Sequence, residues 1–194
     1  MVAETDIVAI GDSLTWGYPF GPRASWLCLT AHDTGLAVQN KGVNGETTGE
    51  MLARFEADVI GVRPAVVTIL GGTNDAWQGV TVAKVRNNVQ AMLDKARQAG
   101  IQAVVCLPPP LCLREGFISQ AFLREMSLFL DAYRDAYREL AQLHSLSVLD
   151  FYRPLLEPGS RWGRAEYFND AAHPNRRGYQ EMAAAALKLF KKLF

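Results

Sequence analysis

AVVTIL, at Ala65–Leu70, is the clearest strand signal in this chain of 194 residues. It is a run of β-branched and aliphatic residues that lies between Pro64 and the pair Gly71-Gly72. A short apolar run without polar alternation is typical of a strand that is buried on both faces of a sheet. Such strands occur mostly in parallel sheets covered by helices, so this segment indicates the fold class.

Other segments repeat this pattern along the chain. The further strand candidates are Asp6–Ile10 (DIVAI), Leu36–Gln39 (LAVQ), Ile101–Leu107 (IQAVVCL) and Leu146–Leu149 (LSVL). Between them, apolar residues recur every three or four positions, as on one face of a helix, at residues 51–60, 82–96, 122–140 and 179–190, with a further helix near 22–32. This alternation predicts βαβ units and a parallel sheet, in a single α/β domain over residues 1–194.

Composition limits the classes of partner. Twenty basic residues balance twenty acidic residues, so we expect no general attraction to nucleic acid or to an anionic membrane. The longest apolar runs fall short of about 18 residues, which predicts no membrane span. The N-terminal stretch MVAETDIVAIGDS has no basic region ahead of its strand, so we expect no signal peptide and a cytoplasmic location. Three cysteines without CxxC spacing predict neither a disulfide framework nor a zinc site, and the sequence leaves a homo-oligomer open.

A candidate nucleophile follows the first strand. In Gly11-Asp12-Ser13-Leu14 the glycine permits a sharp strand-to-helix turn, which would leave the Ser13 hydroxyl above the edge of the sheet. A serine in that position can act as a nucleophile if a base lies nearby. A plain helix cap is the competing interpretation of this turn.

A candidate base lies just before the last helix, in Asp170-Ala171-Ala172-His173. Two small residues between the acid and the histidine let the carboxylate reach Nδ1 of His173, which would leave Nε2 free to accept a proton. The competing interpretation is a surface histidine with an incidental carboxylate. Asn175 is the expected N-cap of the helix that follows.

Candidate donors for a developing negative charge follow two other strands. Gly45, in NKGVNGETT (residues 40–48), offers an uncovered backbone N–H, and Asn74, in GGTND (residues 71–75), offers a side-chain amide. Acyl transfer requires preorganised donors of this kind. The alternatives are plain turns, a Thr48 helix cap, or a phosphate-binding loop. We expect the neighbouring Asp12 and Asp75 to bond loop amides.

With these four clusters, which parallel strands would bring to one edge, the chain resembles the SGNH, or GDSL, hydrolase family. The serine of the family matches Ser13 in GDSL, and its glycine and asparagine match Gly45 and Asn74. Its acid and histidine match Asp170 and His173 in DAAHPN. The resemblance implies a flavodoxin-like three-layer α/β/α fold, with five parallel strands in the order 2-1-3-4-5. It also implies a Ser-His-Asp triad, an oxyanion hole formed by Ser13, Gly45 and Asn74, and no metal or cofactor.

The chain departs from the family at one site position. The second block of the family often carries serine before its glycine, where this chain has Asn44, a change that alters hydrogen bonding near the oxyanion hole without removing a backbone donor. Pro108-Pro109-Pro110-Leu111 resembles a substrate-side loop of the arylesterase-like branch. A turn with a rigid backbone explains the prolines equally well. The remaining pocket candidates are the loops Leu107–Ser119 and Pro154–Phe168 together with Trp16 and Tyr18.

The function predicted from the sequence is hydrolysis of small esters, with a short acyl chain or an aryl group, by a serine esterase. A thioesterase, a lysophospholipase, a sugar O-acetylesterase or an acyltransferase would use the same groups, so these alternatives stay open. A binding module for flavin or nucleotide is a remote alternative, because GETTG (residues 45–49) superficially resembles a phosphate cradle. The loop after the first strand carries neither GxGxxG nor GxxxxGK[ST], which argues against that class.

Overall fold

A parallel sheet forms the centre of the molecule. In the computed structural model, which describes residues 5–113 and 118–194, five strands pair in the order β2-β1-β3-β4-β5, which confirms the expected 2-1-3-4-5 topology. The strands are β1 (Ile7–Gly11), β2 (Val38–Gly42), β3 (Val66–Leu70), β4 (Gln102–Leu107) and β5 (Ser147–Asp150). Gly11 lies opposite Gly42 on one side and Leu70 on the other, so β1, β2 and β3 end at the same level.

Helices connect the strands and cover both faces of the sheet. They are α1 (Ser13–Trp16), α2 (Trp26–Thr34), α3 (Thr48–Phe55), α4 (Thr73–Trp77), α5 (Val82–Gln98), α6 (Gln120–Leu143), α7 (Tyr152–Leu155) and α8 (Arg176–Leu193). A π-helical turn, Glu56–Ile60, continues α3, and 3-10 turns lie at Pro22–Ala24 and Ala165–Tyr167. None of the helices in the described ranges combines the length and the apolar character that a bilayer crossing requires.

The strand residues divide between two apolar cores. Along β1, Val8 and Ile10 pack on the side of α3, α5 and α6, whereas Ile7 and Ala9 pack on the side of α2 and α8. All four side chains are fully buried. Successive side chains of a strand point to opposite faces, so a strand covered on both faces is apolar at most positions. This explains why the inner strands appear in the sequence as largely apolar runs, with Thr68 in β3 and Gln102 at the start of β4 as the polar positions.

The edge strand β2 does not follow the predicted bounds. The apolar pattern indicated Leu36–Gln39, whereas the structure pairs Val38–Gly42 with β1. Every residue of β2 is only partly buried, because an edge strand has a neighbour on one side only. Pairing with β1 therefore sets its position, and the polar sequence VQNKG is tolerated there.

Candidate active site

Ser13 lies where β1 turns directly into α1. Asp12 caps that helix, and its Oδ1 accepts a hydrogen bond of 2.8 Å from the Leu14 N–H. Gly11 is required at the turn, because a Cβ there would lie 2.6 Å from the carbonyl oxygen of Leu70 and 2.1 Å from Thr15 Oγ1. The Ser13 side chain is thus held at the carboxyl end of the central strands.

Ser13, His173 and Asp170 form a continuous chain of hydrogen bonds. Ser13 Oγ lies 3.0 Å from His173 Nε2, although 160 positions separate the two residues. His173 Nδ1 lies 2.9 Å from Asp170 Oδ2. With the carboxylate ionised, Nδ1 carries the imidazole proton, and Nε2 can accept a proton from the hydroxyl.

Asp170 is held as a carboxylate by the loop that carries it. Partial burial raises its pKa, but hydrogen bonds from the His173 ring and from the backbone N–H groups of Ala172 and His173 outweigh that effect and lower the pKa to about 2. The two backbone bonds, both to Oδ1, measure 2.9 and 2.8 Å. Asp170 therefore stays ionised at neutral pH and fixes the orientation of the imidazole.

Further contacts hold the histidine loop in place. The Asn169 N–H donates to the His173 carbonyl at 2.8 Å, and Asn175 caps α8 as expected by accepting from the Gly178 N–H. The Tyr18 ring lies 4.6 Å from the imidazole, centroid to centroid. Of the two aromatic pocket candidates, Tyr18 is thus in direct contact with His173.

The two candidate donors from other loops are joined to each other. Asn74 lies in the first turn of α4, and its Nδ2 donates to the carbonyl of Glu46 at 2.9 Å. Gly45, directly before Glu46, adopts a φ of 86°, which glycine tolerates best. Within the described part of the chain, the N–H groups of Ser13 and Gly45 donate to no other protein group. Ser13, Gly45 and Asn74 follow the three adjacent strands β1, β2 and β3.

Asp75 links the same two loops from inside the molecule. Its buried carboxylate accepts from the Thr48 N–H at 2.9 Å and from the Thr48 hydroxyl at 2.6 Å, and Asn88 in turn donates to that hydroxyl oxygen. Burial raises the pKa of Asp75 despite these bonds. Asp75 was expected to bond a loop amide, and the amide that it bonds is that of Thr48, the first residue of α3. The alternative of a Thr48 helix cap is wrong, because Thr47 caps α3.

The loops proposed to shape the pocket pack against each other. Arg134, on α6, is 2% exposed and donates to the carbonyls of Pro108 and Pro109, both at 2.8 Å. The Gly163 N–H, in the loop Pro154–Phe168, donates to the carbonyl of Leu111 at 2.8 Å. Residues 114–117 of the other predicted loop lie outside the described residues.

Two arginines near the site were not among the residues singled out from the sequence. Arg134 supports the proline loop, and Arg54 contacts the ends of β1 and β2. An arginine within an amphipathic helix pattern normally faces solvent, so the sequence contains no signal that marks either one. Within residues 5–113 and 118–194, no group of three or more His, Cys, Asp or Glu side chains could hold a metal ion.

Comparison with known proteins identifies the family of this chain. Residues 9–181 match the model of the GDSL-like Lipase/Acylhydrolase family. The arylesterase of Vibrio mimicus is 24% identical over 180 residues, which cover 89% of this chain and 81% of that protein. The uncharacterized lipoprotein YqeF of Bacillus subtilis is 34% identical over 118 residues, 53% of this chain, and the chain spans about half of its length (49%).

A solved structure gives the same result for the fold. A lipolytic protein of the G-D-S-L family from Desulfitobacterium hafniense DCB-2 superimposes with a TM-score of 0.84 at 27% identity. The superposition covers 96% of this chain and 99% of that chain. The similarity thus extends over nearly the whole sheet and its covering helices.

Proposed function

The chain belongs to the GDSL-like lipase/acylhydrolase family, and on that premise we propose that it is a serine esterase acting on small carboxylic esters with a short acyl chain or an aryl group. The observation that carries this proposal is the hydrogen-bonded sequence Ser13–His173–Asp170, with distances of 3.0 and 2.9 Å. A hydroxyl placed in this way can pass its proton to the imidazole while its oxygen attacks a carbonyl carbon.

In the acylation half of the reaction, His173 Nε2 takes the proton of the Ser13 hydroxyl as Oγ bonds to the ester carbon. The carbonyl electron pair moves onto its oxygen, and the ionised Asp170 stabilises the imidazolium that has formed. The imidazolium then protonates the leaving alkoxide as the carbon–oxygen bond breaks. Proton transfer by a positioned group contributes about 10²–10⁴ to the rate.

In the deacylation half, water takes the place of the alcohol. His173 Nε2 removes a proton from the water as its oxygen attacks the acyl carbon on Ser13. The tetrahedral intermediate collapses, the bond to Oγ breaks, and the proton held by His173 returns to Oγ. The products are a carboxylic acid and the enzyme in its starting form.

The oxyanion of both intermediates would be bound by Ser13, Gly45 and Asn74. The backbone N–H groups of Ser13 and Gly45 have no other acceptor among the described residues. The Asn74 amide has two N–H bonds, of which one donates to Glu46, so the other remains for substrate. Because these N–H donors are in place before the reaction, they stabilise the negative charge that develops on the carbonyl oxygen without any rearrangement of the protein.

Two observations favour a small acyl or aryl ester among the substrates that this chemistry permits. The arylesterase relative matches over most of both chains. The Tyr18 ring, 39% exposed, lies against the imidazole and offers an aromatic surface beside the reacting atoms. Thioesters, lysophospholipids and sugar acetates remain the competing substrates, and transfer to an alcohol remains the competing outcome.

A panel of substrates tests the proposal. We expect kcat/KM to be highest for phenyl acetate and for p-nitrophenyl acetate or butyrate, and lower for p-nitrophenyl palmitate and for acyl-CoA thioesters of matched chain length. Ser13→Ala, checked for folding by circular dichroism, should lose about 10⁵–10⁶ in kcat. A preference for the thioesters or for the long-chain ester would contradict the proposed substrate class. Undiminished hydrolysis by the variant would rule out Ser13 as the nucleophile.

A further inference from the structure

Arg54 lies on α3 beside the carboxyl ends of β1 and β2. Its Nη2 donates to the carbonyls of Lys41, at 2.8 Å, and Gly11, at 3.2 Å. Its Nε donates to Glu46 Oε2 at 2.7 Å, and its Nη1 donates to Asp58 Oδ2 at the same distance. One guanidinium therefore ties the ends of two strands to two carboxylates.

Glu46 connects this guanidinium to the proposed oxyanion hole. Its carboxylate binds Arg54, while its backbone carbonyl accepts the hydrogen bond from Asn74 Nδ2. Its backbone also follows directly after Gly45. The side chain is 16% exposed, so the ion pair is only partly screened by solvent.

The middle of this loop is exposed, whereas hydrogen bonds hold its two ends. Val43 is 42% exposed, and a Cβ placed on Gly45 would have no atom within 4 Å. The backbone bond from the Glu46 N–H to the Val43 carbonyl is long, at 3.4 Å. The Val43 N–H donates to the Gly11 carbonyl at 2.9 Å, and the Thr48 N–H donates to Asp75 at 2.9 Å, so the two ends of the loop are fixed. The ion pair of Glu46 with Arg54 anchors the stretch between them by a side chain.

We propose that Glu46 is a positioning residue whose ion pair with Arg54 holds Gly45 and Asn74 in the geometry that binds the oxyanion. The inference rests on the proposed function, since it assigns a role within that same site. Displacing oxyanion donors by a fraction of their hydrogen-bond length weakens binding of the transition state more than binding of the substrate. Loss of the Glu46 anchor therefore lowers kcat and leaves KM nearly unchanged.

Asp58 supplies a matched control. It binds the same guanidinium at the same distance of 2.7 Å, and it also lies 3.2 Å from Lys41 Nζ. It lies in the turn after α3, and its contacts are with Arg54 and with Lys41 of β2, not with Asn74 or with residues 43–46. Replacing Glu46 or Asp58 removes one carboxylate from Arg54 in each case. Only the change at Glu46 releases the turn that carries Gly45.

The kinetic test compares Glu46→Ala with Asp58→Ala on p-nitrophenyl acetate. We expect Glu46→Ala to lower kcat about 10- to 100-fold with KM changed less than about threefold, and Asp58→Ala to change both less than about threefold. Glu46→Gln should recover most of the rate, because its amide oxygen can still accept from Arg54 Nε. Equal decreases of kcat in the two alanine variants would overturn the inference. So would an effect of Glu46→Ala that raises KM and leaves kcat unchanged.

A second measurement does not depend on activity. The side-chain amide signals of Asn74 in a ¹⁵N–¹H spectrum can be assigned by their disappearance in Asn74→Ala. We expect them to shift or broaden in Glu46→Ala and to stay in place in Asp58→Ala. Unchanged signals in a folded Glu46→Ala protein would overturn the inference. Shifted signals together with a wild-type protein that cleaves no ester would support the positioning role and contradict the proposed function alone.

Discussion

Asp12 illustrates a conflict between geometry and solvation at a single residue. Its Oδ1 caps α1 directly beside Ser13, while its buried Oδ2 has no hydrogen-bond partner in the ranges that the structure describes. Burial raises its pKa to about 7, even though the Leu14 N–H and the charge of His173 act in the opposite direction. The cap that shapes the serine turn is therefore maintained at a cost in stability when Asp12 ionises.

This cost can be measured with Asp12→Asn, which keeps an oxygen for the cap and cannot ionise. The folded-state pKa of Asp12 is raised above its unfolded value, so the folded protein is favoured below pH 4 and loses that advantage as pH rises toward 7. We expect the variant to exceed the wild type in unfolding free energy by on the order of 1–4 kcal/mol at pH 8, and by much less at pH 4. Urea denaturation at pH 4, 6 and 8 gives the comparison.

Asp135→Asn, at a side chain that is 71% exposed, is the matched control for this experiment. It removes a carboxylate that the fold does not bury, so its effect should be small and nearly constant with pH. The unfolding free energies of Asp12→Asn and the wild type should differ more as pH rises. If their difference stays constant with pH, the burial cost does not arise at Asp12.

Asn74 has a separate role at the residue scale, as a donor to the oxyanion. We expect Asn74→Ala to lower kcat by on the order of 10²–10³ while the unfolding midpoint stays close to that of the wild type. Asn74→Asp, which replaces the donor with a carboxylate of similar size, should lose at least as much. Steady-state kinetics with p-nitrophenyl acetate would show this, and an unchanged kcat in Asn74→Ala would remove this residue from the oxyanion hole.

At the scale of elements, hydropathy predicts the inner strands better than the edge strand β2. Ala65–Leu70 and Asp6–Ile10 are close to the observed β3 and β1, because burial on both faces favours apolar residues at most positions. The edge strand β2 carries Gln39, Asn40 and Lys41 in half-buried positions, so its bounds follow from pairing with β1. A sequence alone does not reveal that pairing.

The contact between β2 and α1 leads to a prediction about two glycines. A Cβ on Gly42 would lie 2.2 Å from the backbone nitrogen of Trp16, so the last residue of β2 and the end of α1 meet backbone to backbone. We expect Gly42→Ala to push α1 away, to cost about 1–3 kcal/mol of unfolding free energy, and to reduce kcat because Ser13 moves with α1. Urea denaturation and ester kinetics measure the two effects.

Gly49→Ala is the corresponding control inside α3. A Cβ there meets Asn88 Nδ2 at 3.6 Å, an ordinary contact, and alanine is the better helix former by up to about 1 kcal/mol. This variant should therefore be as stable as the wild type or more so, with full activity. Similar behaviour of Gly42→Ala and Gly49→Ala would show that the α1–β2 contact is not restrictive.

At the scale of the whole molecule, the strand order explains why distant residues meet. β1 lies between β2 and β3, so the direction of the chain across the sheet reverses at β1. Ligands bind at such a switch point, outside the carboxyl ends of the strands. Ser13, Gly45 and Asn74 follow these three strands, and the connection from β5 to α8 brings Asp170 and His173 to the same place.

The sequence predicts this convergence but not what supports it. Ser13, Gly45, Asn74, Asp170 and His173 were identifiable because each belongs to a short polar cluster at a glycine turn or a helix start. Arg54 has no such mark, and although Glu46 lies in the Gly45 cluster, its pairing with Arg54 depends on where the ends of β1 and β2 lie in space. Side chains that act through tertiary contacts alone carry no local signal.

Labelling with a fluorophosphonate, followed by peptide mapping and repeated on His173→Ala, tests most directly whether His173 activates Ser13. The predicted result is a single adduct on the peptide that contains Ser13, formed slower by about 10²–10⁴ in the His173→Ala protein. An adduct on another residue, or labelling of His173→Ala at the wild-type rate, would contradict the account.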